Sequence, residues 1–181
     1  MSPEKPTSGS DLIPSARAPG PFRESPPRLL ILDVDGVLTD NSIWLDGQGN
    51  EMKRFHVPDG AGIRRLLRAG IPVALVSGRR SAVVEARARE LGIEHAWSGV
   101  EHKGPKVLEI MASLQVDPAR TVFVGDDLVD LSAMAEVGLP VAVANAIPEV
   151  KAAAVAETTR AGGAGAVREV CDWILSAQEQ G

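Results

Sequence analysis

RLLILDVDGVLTD, residues 28–40, is the stretch on which the fold turns. From Arg28 to Val34 it is a short, continuous apolar run with turn-rich residues on both flanks, which suits a strand buried on both faces. Asp33 and Asp35 stand at its end. Side chains two apart on an extended segment point to the same side. Two close carboxylates repel, so the pair needs a cation, a shared proton or a partner arginine.

Working outward, residues 42–55 (SIWLDGQGNEMKRF) read as a hairpin. Ile43 and Leu45 alternate, Asp46-Gly47 and Gly49-Asn50 offer turn chemistry, and Met52 and Phe55 lie in the return arm. Trp44 reads as an interface or core anchor. Asp59 can cap a helix to about Ala69, in which Ile63, Leu66, Leu67 and Gly70 follow helical spacing.

Strand and helix then alternate. Strand 72–76 precedes helix 81–91 and a short strand near 94–97; helix 105–115 leads to strand 120–124, helix 127–137 and strand 140–143. Pro148 suits the first turn of a helix over 148–155. A glycine-rich loop, Ala161 to Gly165, opens a last helix over 166–177. This order predicts an α/β fold, a doubly wound parallel sheet with helices on both faces and the hairpin as an insertion. Ligands of such sheets sit beyond the carboxyl ends of the strands.

The chemically capable residues fall where that rule asks. After Asp33 and Asp35 come Ser77-Gly78-Arg79 behind the second strand, Lys103 at the start of a helix, and Gly125-Asp126-Asp127 behind the fourth strand, with Asp130 close by. Hard oxygen ligands together with phosphate oxygens favour Mg²⁺, bridging Asp33, Asp126 and a phosphorylated substrate. Ser77 and nearby backbone N–H groups are placed to hold phosphate oxygens. Lys103 is placed to neutralise phosphate and nucleophile, although Lys106 is a local rival. One of Asp126 and Asp127 is expected to cap the following helix, and Asp126 is read as the ligand. Arg87 shares a stripe with Val84, Ala88 and Leu91, so it either snorkels to solvent or points into a cleft. His56, His95 and His102 have no shared metal-ligand spacing.

Bulk properties bound the rest. With 181 residues, 44% hydrophobic and 24% charged, the chain can bury a core without staples. A net charge of −5 argues against general nucleic-acid binding while allowing a local cationic cleft. Cys171 is the sole cysteine, which excludes an intrachain disulfide and fits a reducing cytoplasm. No stretch approaches the ~20 apolar residues of a membrane span, and no export signal is read. Residues 1–27, rich in Pro, Ser and Gly, are expected to be a mobile tail, leaving 28–181 as one domain.

DVDGVLTD, SGR, Lys103 and GDDLVD, separated by 44, 26 and 23 residues between Asp33, Ser77, Lys103 and Asp126, resemble the four motifs of haloacid dehalogenase superfamily phosphatases. LDVDGVLTD, GNEMKRFHVPDGAGI, VSGR, VGDDLVD and AGGAGAVREVCDWIL are similar to one family within it, the 3-deoxy-D-manno-octulosonate 8-phosphate phosphatases, which lack a cap domain. The similarity runs from about Arg28 to Ala177. It implies a magnesium-dependent phosphatase acting on a small sugar acid through an aspartyl phosphate. Asp33 would be nucleophile and metal ligand. Asp35 would be acid/base, touching the substrate and offering its backbone carbonyl to the metal. Asp126 would be the other direct ligand, with Asp127 and Asp130 supporting through water. Substrate contacts would fall on His56, Val57, Pro58, Asp59 and Gly60, then Arg64, Arg79, Arg87 and Lys103. The family also implies a homotetramer in which hairpins form a barrel and a neighbour's tail helps close each site.

Pro58 and Ala164 replace basic residues common in that family, which leaves a nine-carbon, sialic-acid-like 9-phosphate as an alternative substrate. A non-catalytic oligomerisation module is the reading from another class. Retention of Asp33, Asp35, Lys103 and Asp126 argues against it.

Overall fold

The computed structural model of the chain describes residues 18–179. Strand β1, Leu29–Leu32, is fully buried, as its unbroken apolar run requires. It lies at the centre of a six-stranded sheet with β4 (Val73–Ser77), β5 (His95–Ser98), β6 (Thr121–Gly125), β7 (Leu139–Ala142) and β8 (Ala156–Glu157). The order is β5-β4-β1-β6-β7-β8 and every pairing is parallel. The two-residue β8 escaped the sequence reading, being too short to carry an alternation. The hairpin pairs only β2 (Trp44–Leu45) with β3 (Glu51–Met52), outside the sheet. Its loop is held by Asp46, whose Oδ1 accepts from the N–H groups of Gln48 and Asn50, each at 2.8 Å.

The helices are α1 (Gly20–Glu24), α2 (Val57–Arg68), α3 (Ala82–Leu91), α4 (Lys103–Leu114), α5 (Leu131–Met134), α6 (Pro148–Ala153) and α7 (Ala166–Gln178). Local chemistry sets their ends. Ser81 accepts from the Val84 N–H at 3.3 Å to cap α3, and Gly92, at φ 78°, closes it. From β1 the chain steps to β4 and β5, then crosses back to β6, β7 and β8. Right-handed crossovers therefore put α2 and α3 on one face and α4 to α6 on the other. The contacts agree: α2 packs on α3 and α7, whereas α5 packs on α4 and α6.

Two expectations are corrected. The reading of residues 1–27 as a tail outside the fold fails for residues 18–27, while residues 1–17 lie outside the described residues. Pro19 and Gly20 start α1, whose Phe22 is fully buried edge-on against Trp173 of α7, ring centroids 5.8 Å apart. One aromatic among prolines has no periodicity, so only burial reveals it. The helix expected over 127–137 is a 3-10 turn, Leu128–Asp130, followed by the single-turn α5. Asp127 and Asp130 form a capping box that tightens this turn.

The winding reverses between β1 and β6, whose carboxyl ends therefore border the crevice expected to bind ligand. Leu32 pairs with Val124 and the Asp33 N–H donates to Val124 O at 3.1 Å, so Asp33 and Asp126 emerge side by side.

Candidate active site

Two strand ends and a helix start meet at that crevice. Asp33 follows β1, Asp126 follows β6, and Lys103 opens α4; all three are buried. Lys103 Nζ donates to Asp33 Oδ1 and to Asp130 Oδ1, each at 2.6 Å. Burial acts to lower the Lys103 ammonium, but Asp33 and Asp130 outweigh it and leave it raised. Lys106 is not the rival it looked: it pairs with Glu109 at 2.5 Å and lies over the Trp97 ring, on the surface.

The remaining carboxylates are strained by their neighbours. Burial, then Asp130, push Asp33 up to about 7 against the pull of Lys103. Burial, then Asp33, Asp130 and Asp127, push Asp126 up to about 8. Asp126 Oδ1 is buried without a hydrogen-bond partner. Oxygens of Asp33, Asp126 and Asp130 all lie within 4.8 Å of one another. A buried orphan oxygen among repelling carboxylates is what a divalent cation corrects, so the donor set fits a hard metal ion. Asp130 has other work. Its Oδ2 accepts from the Asp126 N–H at 2.9 Å and lies 3.3 Å from the Asp127 nitrogen. Asp130 is thus bonded directly to Lys103 and to the backbone behind β6. Asp127 accepts from the Leu128 N–H at 2.7 Å and is the cap of the pair.

A glycine opens the crevice. Gly36, at φ 90°, lets the chain turn beneath Asp126; a Cβ there would stand 1.9 Å from Asp126 Oδ2. The glycine-rich loop backs this turn. A Cβ on Gly162 would stand 1.7 Å from Gly36 O, and Asn145 ties the two by accepting from the Gly162 N–H at 2.7 Å and donating to Gly36 O at 3.3 Å.

Ser77 ends β4, buried, its Oγ accepting from the Arg79 N–H at 3.2 Å. Gly78 and Arg79 are exposed beside it. Asp35 is ion-paired with Lys53 Nζ, and Arg79 Nε lies 3.9 Å from its other oxygen. No site role for Lys53, Glu51 or Asn41 is legible in the sequence. Asn41 Nδ2 lies 3.5 Å from Asp126 Oδ2. Polar residues in or beside a hairpin look like solvated positions, and no spacing rule links Lys53 to Asp35.

The remaining expected contacts gather elsewhere. Val57, Gly60, Arg64 and Arg87 line a groove of about 330 Å³ between α2 and α3, which none of Asp33, Asp35 or Asp126 lines. Arg87 stands over the Phe55 ring at 5.6 Å and pairs with Glu90 at 2.7 Å, while Arg64 donates to the Glu90 carbonyl at 2.7 Å. Pro58 is exposed at the first turn of α2. Asp59 is buried and turned inward: its Oδ1 accepts from the Arg168 N–H at 2.8 Å, joining α2 to the start of α7. Burial raises Asp59, against the bonds from Arg168, Gly165 and His56. His56 Nδ1 lies 3.3 Å from Asp59 Oδ2. In this chain Asp59 is a helix-to-helix tie, not a group open to ligand. Trp44 is 62% exposed, which removes the core-anchor alternative. Among the described residues, no helix is long and apolar enough to cross a membrane.

Comparison with known proteins identifies the family of the chain. The haloacid dehalogenase-like hydrolase model matches residues 55–138. The 3-deoxy-D-manno-octulosonate 8-phosphate phosphatase of Yersinia pestis is 49% identical over 153 residues, 84% of this chain and 82% of that one. Its 1.95 Å crystal structure superposes with TM-score 0.85 at 48% identity, covering 88% of this chain and 86% of that one. The enzyme of Moraxella catarrhalis, crystallised with magnesium ion, phosphate ion and KDO, superposes with TM-score 0.84 at 39% identity, covering 88% and 91%. The chain belongs to the haloacid dehalogenase-like hydrolases, in the family of the 3-deoxy-D-manno-octulosonate 8-phosphate phosphatases, and is a phosphoric monoester hydrolase.

Proposed function

We propose that this enzyme hydrolyses 3-deoxy-D-manno-octulosonate 8-phosphate to the free sugar acid and phosphate, through an aspartyl phosphate on Asp33. The observation that carries the reading is the meeting of Asp33, Lys103 and Asp126 at the sheet's switch point in a chain 49% identical to such an enzyme. Asp33 attacks phosphorus in line while Lys103, 2.6 Å away, offsets the charge gathered there. Asp35 gives a proton to the departing sugar oxygen and then takes one from the water that hydrolyses the intermediate. Ser77, Gly78 and Arg79 hold phosphate oxygens. Asp33 and Asp126, with the Asp35 backbone carbonyl, would hold Mg²⁺, which would supply charge neutralisation and orientation of the phosphoryl group. The groove bearing Arg64 and Arg87, with Val57 and Gly60 in its wall, is cationic and suits a carboxylated sugar. The exposed hairpin residues Trp44, Leu45 and Met52 support assembly into a homotetramer.

Phosphate release from eight- and nine-carbon ulosonate phosphates, with Mg²⁺ and with EDTA, tests the reading. Turnover of the eight-carbon ester is expected to dominate, to vanish reversibly in EDTA, and to be abolished in Asp33→Asn without loss of folding. Preference for the nine-carbon ester would overturn the substrate, and activity in Asp33→Asn the covalent route.

A further inference from the structure

The hairpin reaches back into the site through one side chain. Lys53 follows β3, and its side chain is 0% exposed. Its Nζ is ion-paired with Asp35 Oδ1 and lies 3.3 Å from Glu51 Oε1. Glu51 is itself held, its Oε2 accepting from the Ser81 hydroxyl at 2.5 Å. Arg79 borders the same group, Nη2 at 3.8 Å from Glu51 Oε1 and Nε at 3.9 Å from Asp35 Oδ2. A buried ammonium needs partners that offset its lost hydration, and Asp35 and Glu51 are those partners. Asp35 in turn has one hydrogen-bond donor among the described residues, Lys53, and it binds Oδ1. Oδ2 is left unbonded on the side of Arg79.

We propose that Lys53 is a positioning residue for proton transfer: it holds the Asp35 carboxyl by Oδ1, so that Oδ2 presents the proton to the leaving oxygen. This rests on the reading of Asp35 as proton donor. In that step the bond from phosphorus to the sugar oxygen breaks and a bond from phosphorus to Asp33 forms. The proton on Asp35 Oδ2 passes to the departing oxygen and leaves a carboxylate. A sugar alkoxide needs that proton, whereas p-nitrophenolate leaves without it.

The test compares Lys53→Met, Lys53→Arg and Asp35→Asn, at saturating Mg²⁺, on the eight-carbon sugar phosphate and on p-nitrophenyl phosphate. General acid catalysis contributes about 10²–10⁴-fold, and loss of orientation forfeits part of it. Lys53→Met is expected to lower kcat/KM on the sugar phosphate, which reports phosphoryl transfer to Asp33, about 10–100-fold and to leave kcat/KM on the aryl ester within about threefold, the later hydrolysis that both esters share entering kcat alone. Lys53→Arg, which keeps a donor, is expected to recover most of the loss. Equal loss of kcat/KM on both esters, an unchanged kcat/KM on the sugar phosphate, or a Lys53→Met protein without a cooperative thermal transition would each overturn the proposal. Asp35→Asn separates the two levels. If it spares the sugar phosphate, the proton-donor reading falls. If it impairs that ester selectively and Lys53→Met does not, only the role of Lys53 falls.

Discussion

Replacing Asp130 by Asn should destabilise the protein more than its small change in shape suggests. Asp130 is fully buried, with Oδ1 facing Lys103 Nζ at 2.6 Å and Oδ2 facing the Asp126 N–H at 2.9 Å. An amide has one oxygen, so in either orientation its NH₂ must face a donor. A charge-assisted bond to a buried group, about 1.5–3 kcal/mol, is lost, and one buried donor is stranded at about 1–3 kcal/mol. Relief of the repulsion that Asp130 exerts on Asp33 and Asp126 offsets part of this. The net loss should be about 3 kcal/mol, a fall in Tm of about 6–12 °C for a chain of this size. Urea unfolding in EDTA, followed by the fluorescence of buried Trp173, measures it without metal binding pulling on the equilibrium. A loss below about 1 kcal/mol would refute the assignment of Asp130 as the buried tie between Lys103 and the β6 backbone.

Three further outcomes follow from the site and the hairpin. Asp33 and Asp126 have folded pKa values of about 7 and about 8 against 3.8 unfolded, so the folded state holds the extra protons. Metal-free protein should therefore lose stability as pH rises from about 4 to about 8, and Mg²⁺ should raise Tm more at pH 8 than at pH 5.5; a Mg²⁺ effect independent of pH would count against the ligand pair. Gly36→Ala puts a Cβ 1.9 Å from Asp126 Oδ2 at a φ of 90°, and should weaken apparent Mg²⁺ affinity about 10–100-fold in activity titrations; an unchanged titration would refute the account of that turn. Trp44→Ser with Leu45→Ser, at 62% and 66% exposed positions, should shift the sedimentation of the proposed homotetramer toward a smaller species, and an unchanged sedimentation profile would remove the hairpin from the proposed assembly.

What was legible in the chain beforehand was what periodicity and order encode. The apolar run of β1, the alternation of strands with helices, and polar residues recurring just past strand ends predicted the parallel sheet and put Asp33, Ser77, Lys103 and Asp126 at its rim. These features are local or topological, so a linear reading reaches them. Partnerships across the fold are different. Lys53 with Asp35, Asp130 with Lys103, Asp59 with the Arg168 N–H, and Phe22 against Trp173 join residues whose separations obey no period. Burial decides each of them: a side chain removed from water must take whatever donor, acceptor or apolar face the packed elements supply. For that reason Asp59, legible only as a cap or ligand, became a tie between α2 and α7, and an ordinary hairpin lysine came to stand beside Asp35.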